Sequence, residues 1–122
     1  MRVAPAAAAW GLEVLTGATL FAAPSLVAKL LLGSDKNASG DAIGRIAGLV
    51  MLCLAVGCLP RTNAAPPLAP LLALSFLAVI FLVVVGIQGA TVGVLLWPAA
   101  VVHLILAILL ARTWMNTPRA TG

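Results

Sequence analysis

A chain of 122 residues that is 63% hydrophobic and only 8% charged has too little polar surface to cover a soluble fold, and its length allows one domain, 1–122. The formal net charge of +4 comes from seven Lys and Arg against three Asp and Glu. The basic residues (Arg2, Lys29, Lys36, Arg45, Arg61, Arg112 and Arg119) are scattered along the borders of apolar runs without an interleaved aromatic stripe. That pattern excludes nucleic acid as a partner and points to the headgroups of a lipid bilayer.

The first apolar run covers residues 4–23. Pro24 interrupts it, and a short apolar stretch bearing Lys29 follows. A continuous helix over 4–32 would be about 43 Å long, well beyond the ~30 Å hydrocarbon core. The spacing therefore predicts a spanning helix, a break near Pro24 and a short interfacial helix with Lys29 snorkelling to the headgroups. A steeply tilted, kinked single helix is the alternative. Glu13 in mid-run, and Pro24 directly after Ala22 and Ala23, argue against a cleaved signal peptide.

Residues 33–41 form a polar loop, in which Ser39 or Asp41 can cap the next helix. Asn37-Ala38-Ser39 matches a glycosylation triplet, a match common by chance. The second span is predicted over 42–59, ended by Pro60 and followed by a turn-rich linker over 61–67. The third covers 68–87 and the fourth, after a tight turn, 91–111, closed by Arg112. Pro98, following Trp97, should kink or locally open the fourth span. Trp10, Trp97 and Trp114 are expected at the water–lipid interfaces.

The predicted fold is thus all-α, an integral membrane four-helix bundle with a short interfacial helix after the first span. Three connections place both termini on one side. Arg2, Arg61, Arg112 and Arg119 outnumber the basic residues of the other side, so the termini are expected in the cytoplasm.

Ionisable side chains at hydrocarbon depth are costly and persist where they pair, line a wet cavity or carry function. Glu13, Arg45 and His103 are the candidates. Glu13, with Thr16 and Gly17 on its face, reads either as a proton-titrating or cation-binding carboxylate or as one half of a helix–helix contact. Arg45 reaches inward to Glu13, the preferred arrangement, or outward to phosphates. His103 reads as a hydrogen-bonded packing residue or a proton shuttle. Gly40, Gly44 and Gly48 recur every fourth residue and make a stripe that another helix can approach closely. Ser75 can hydrogen-bond a neighbouring helix.

Cys53 and Cys58 are rotated by about 140° from each other on a helix and should not bridge; both are expected as buried small hydrophobes. Glu13 and His103 alone are too few ligands for a metal. With no catalytic constellation and no cofactor motif in view, an enzyme is not expected.

Three patches carry a family likeness: Glu13-Val-Leu-Thr-Gly17, Pro24-Ser-Leu before Leu31-Leu-Gly33, and Gly44-Arg-Ile-Ala-Gly48. Together they resemble small bacterial four-helix inner-membrane proteins of unknown function, DoxX-like in layout. The resemblance covers mainly the first half of the chain and implies the four-helix fold. Separately, Leu12-Glu-Val-Leu-Thr-Gly-Ala-Thr-Leu20 is similar to the first helix of the small multidrug resistance transporters. That resemblance implies a proton-coupling role for Glu13, although Arg45 and the break at Pro24 depart from the pattern.

Three functions follow from these features. The favoured one is a structural or accessory membrane subunit whose glycine stripe docks on a second copy or a larger complex. Another is a proton-coupled transporter or channel using Glu13. The third is a module that binds a lipid or quinone-like molecule, with Arg45 or His103 at its polar head.

Overall fold

The computed structural model describes residues 3–33, 38–59, 67–88 and 92–118. Arg2, Lys36, Asn37 of the glycosylation triplet, Pro60, nearly all of the 61–67 linker, the turn at Gly89 and Arg119 lie outside the described residues. Five helices follow in order: α1 (Val3–Ala22), α2 (Pro24–Leu32), α3 (Ala38–Gly57), α4 (Leu68–Gln88) and α5 (Leu96–Met115).

The break between α1 and α2 follows from Pro24. It has no backbone N–H, so the ladder that runs to Ala23 N–H on Thr19 O stops there. Pro24 then serves as the first residue of α2, where a missing donor costs nothing. The two helices are bent by 113°. This supports a break in place of a tilted continuous helix.

Two element starts differ from the sequence reading. α3 begins at Ala38, so Ser39 and Asp41 stand within its first turn and not at its cap. Asp41 there complements the partial positive charge of the helix N-terminus, although its Oδ1 is buried without a hydrogen-bond partner. α5 begins only at Leu96, which makes Pro98 its third residue. The first turn has no intrahelical N–H bonds to lose, so Pro98 starts the helix and introduces no kink.

Helices α3, α4 and α5 are each long and apolar enough to cross a membrane, and α1 with α2 reach that measure as a bent pair. Just 17% of the α4 segment is buried within the protein, and Phe76, Leu77, Ile80, Phe81 and Ile87 all face outward. An outer surface of this kind is compatible with a multi-pass membrane protein, because in water it would be one continuous apolar patch.

Antiparallel pairs organise the interior. Trp10 meets Ala55 and Gly17 meets Gly48, so α1 and α3 run in opposite directions. Gly86 lies against Leu96 and Trp97, which sets α4 and α5 in the same relation. A cluster of Ala6, Ala9, Leu71, Leu106 and Leu110 joins α1 to the α4–α5 pair at the end bearing the N-terminus of α1. A second cluster of Leu82, Leu96 and Ala100 closes the other end. The arrangement is not square: α3 packs on α1 and α2 and makes no comparable contact with α4 or α5. α1 is thus the central helix.

Candidate functional site

Glu13, Ser75 and His103 stand on the inward stripes of three different helices. On α1, Glu13 continues the buried series Ala6, Ala9; on α4, Ser75 follows Leu71 and precedes Leu82. On α5, His103 lies between Ala100 and Ala107. The shared cluster sets their depth. Glu13 is four residues beyond Ala9, Ser75 four beyond Leu71, and His103 three before Leu106, all in the same direction along the bundle. At about 1.5 Å rise per residue, each is displaced by roughly 5–6 Å from that cluster. The three therefore lie at one depth, a polar level between two apolar clusters.

Hydrogen bonding in this layer is incomplete. Glu13 is 3% exposed and its Oε2 has no partner; Ser75 is 1% exposed and its Oγ has none either. Buried polar groups nearly always find partners, and an unmade bond costs about 1–3 kcal/mol, so each such orphan asks for an explanation. His103 is half-buried and its ring binds the Ala99 carbonyl through Nδ1 at 2.8 Å. A carbonyl can only accept, so Nδ1 carries a proton and donates it to this contact, leaving Nε2 for another partner.

Arg45 does not join the layer. Its guanidinium is exposed and donates from one terminal nitrogen to the Phe21 carbonyl at 3.1 Å. The expected Glu13–Arg45 pair is absent, and the physical reason lies in the break. The C-terminal carbonyls of α1 lose their intrahelical donors at Pro24, and Arg45, next to Gly44 where α3 touches Pro24, supplies one. Phe21 is eight residues, about 12 Å, from Glu13 along the helix.

The glycine stripe is consumed within the chain. A Cβ on Gly48 would lie 2.5 Å from the Phe21 amide nitrogen and 2.7 Å from the Gly17 carbonyl oxygen, and one on Gly44 would lie 2.6 Å from Pro24 Cβ. Both glycines are buried where α3 meets α1, while Gly40 is half-buried. The surface expected to receive a second copy or a larger complex is therefore covered by the protein's own first helix.

Trp10 has a partner inside the protein: its indole N–H donates to the Ala55 carbonyl at 2.8 Å, tying α1 to α3. Trp97 and Trp114 are exposed as an interfacial role requires. Both cysteines are free thiols; Cys58 is buried as expected, but Cys53 points outward. A depression of about 270 Å³ is lined by Leu68, Trp114, Thr117 and Pro118, at the end of the terminal-side cluster and away from the polar layer.

Sequence reasoning picked out Glu13 and His103 singly and ranked Ser75 low. A signal for their association was present: all three are the polar interruptions of otherwise apolar inward stripes. Comparison adds no further guide, since no protein-family model, curated protein or solved structure matches the chain.

Proposed function

We propose that this is a multi-pass protein of a bacterial inner membrane in which the Glu13 layer takes up and releases protons as part of solute or proton translocation. The observation that carries this reading is the buried Glu13 Oε2, which has no hydrogen-bond partner and no ion pair among the described residues. A carboxyl kept for helix packing would be expected to have one. Ser75 Oγ and the His103 ring, at the same depth, supply further hydrogen-bonding positions. The resemblance of the first helix to proton-coupled transporters points the same way.

An accessory role in a larger complex loses the feature that suggested it, since Gly44 and Gly48 are occupied. A lipid or quinone-like ligand held by Arg45 would have to sit at the α1–α2 break and not in the layer. The proposed orientation keeps both termini in the cytoplasm, on the side of Arg112 and of the basic residues in the flanking segments.

The test uses the full chain in liposomes with an imposed potassium diffusion potential and an internal pH-sensitive dye. Wild-type protein should carry a pH-dependent proton flux that Glu13→Gln removes, because the amide keeps the shape but cannot exchange a proton. Equal flux in both proteins, or none in either, would overturn the reading. Cys58 directly follows α3 and His103 shares the depth of Glu13 on α5, so Cys58→Ala and His103→Gln serve as controls for other side chains of the interior.

A further inference from the structure

The two apolar clusters that enclose the polar layer are closed in different ways. On the side of the termini, the seal is built wholly from the long helices α1, α4 and α5. On the other side it is narrower, with Leu82, Leu96 and Ala100 buried, and Leu32 of the short helix α2 packs against it.

Leu32 is held there through the backbone. The Gly93 N–H donates to the Leu31 carbonyl at 3.1 Å, and the Leu95 N–H donates to the Leu30 carbonyl at 2.8 Å. Carbonyls in the last turn of a helix have no intrahelical partner, so the chain entering α5 satisfies the free end of α2. Gly93 is required for this approach, since a Cβ on it would run into the Leu30 carbonyl. Gly33, at φ 68°, ends α2 in the left-handed conformation that glycine adopts without strain. The opposite end of α2 is the 113° joint at Ala23–Pro24. α2 is thus a short rod, jointed at one end, fastened at the other through hydrogen bonds that include those from Gly93 and Leu95, and contributing one leucine to a seal.

We propose that α2 is a releasable strap: unfastening it from Gly93 and Leu95 withdraws Leu32 and opens the Glu13–Ser75–His103 layer to that side of the membrane alone. The proposal rests on the reading of this layer as the working site and supplies its control of access. It explains why the break at Pro24 is followed by a helix that turns across the end of the bundle to reach the α4–α5 connection.

Accessibility of the layer tests the strap without any need for transport. The reporter is Ser75→Cys in a Cys53→Ser, Cys58→Ala background, reconstituted in liposomes. A small, charged, membrane-impermeant methanethiosulfonate reagent is applied from each side in turn, and Lys29→Cys identifies the strap side. With the strap intact, modification of position 75 should be slow from both sides. Gly93→Ala should raise the rate at least tenfold from the strap side and leave the other side unchanged. Leu32→Ala, which keeps both hydrogen bonds, should give a smaller rise on the same side.

An unchanged rate in both variants, or an equal rise from both sides, would overturn the strap. If Gly93→Ala fails to fold by size exclusion and helicity, Leu32→Ala decides alone, its one-sided rise supporting the strap and its absence overturning it. Access that responds to the strap, with proton flux indifferent to Glu13→Gln, would remove the proposed function and leave the strap standing. The converse result would do the opposite.

Discussion

The central helix α1 has two very different neighbours. Toward α3 it meets glycines, and backbone approaches backbone closely enough that Gly48 has no room for a single added carbon. The Trp10 indole at this seam finds the Ala55 carbonyl, and the orphaned Asp41 Oδ1 stands in the first turn of α3, one turn before Gly44 meets Pro24. Toward α4 and α5 the contact is made by larger side chains, Leu71, Leu106 and Leu110 at one end, while the middle layer leaves Glu13 Oε2 and Ser75 Oγ without partners. Between apolar helices in lipid there is no hydrophobic drive to associate, so close packing and satisfied hydrogen bonds must hold them together. The α1–α3 seam meets that requirement. The middle level on the other side leaves buried polar atoms unsatisfied, which is the feature the proposed function rests on.

Substitutions on the two sides should accordingly differ in sign. The largest effect is expected at the glycine seam. Gly48→Ala puts a Cβ into backbone atoms that cannot rotate away, and should destabilise at the upper end of about 1–3 kcal/mol in reversible unfolding from lipid-detergent micelles. A wild-type midpoint for Gly48→Ala would show that α1 and α3 are not packed this closely. Next comes Glu13→Leu, which replaces an unpartnered buried carboxyl with an apolar group of similar size. It should stabilise by about 1–3 kcal/mol in the same assay while abolishing proton flux. A loss of stability instead would mean that Glu13 has a structural partner after all, and the contrast between the two sides would collapse.

Smaller changes sharpen the picture. Trp10→Phe keeps the ring and removes the hydrogen bond to Ala55, for an expected loss of about 1 kcal/mol. Gly11, on α1 between Trp10 and Leu12, has nothing within 4 Å of an added Cβ. Gly11→Ala should therefore gain about 0.5–1 kcal/mol from helix propensity alone, with flux unaffected. If Gly11→Ala proved as harmful as Gly48→Ala, glycine would matter to α1 for some reason other than close approach.

Much of the fold was readable from the residues in order. Four apolar runs with polar or proline-rich interruptions announced the long helices, and Pro24 announced the break, because a missing N–H acts locally and needs no tertiary context. Pro98 was misread for the opposite reason. The same residue kinks a helix interior and starts a first turn, and only the true helix start at Leu96 separates the two. The Glu13–Arg45 pairing failed because opposite charges in a sequence invite each other, while the carbonyls left bare at the end of α1 compete for the same guanidinium. Those carbonyls are invisible in a string of side chains.

Composition and hydrophobic run length determined, without coordinates, that the chain is helical and carries segments able to cross a membrane, since those properties add up residue by residue. Which helix receives the glycines, which ionisable groups share a depth, and how α2 fastens to the start of α5 were decided by tertiary structure alone. Each depends on the distance between segments far apart in the chain. Ser75 became part of the site only when α4 came to lie beside α1 and α5.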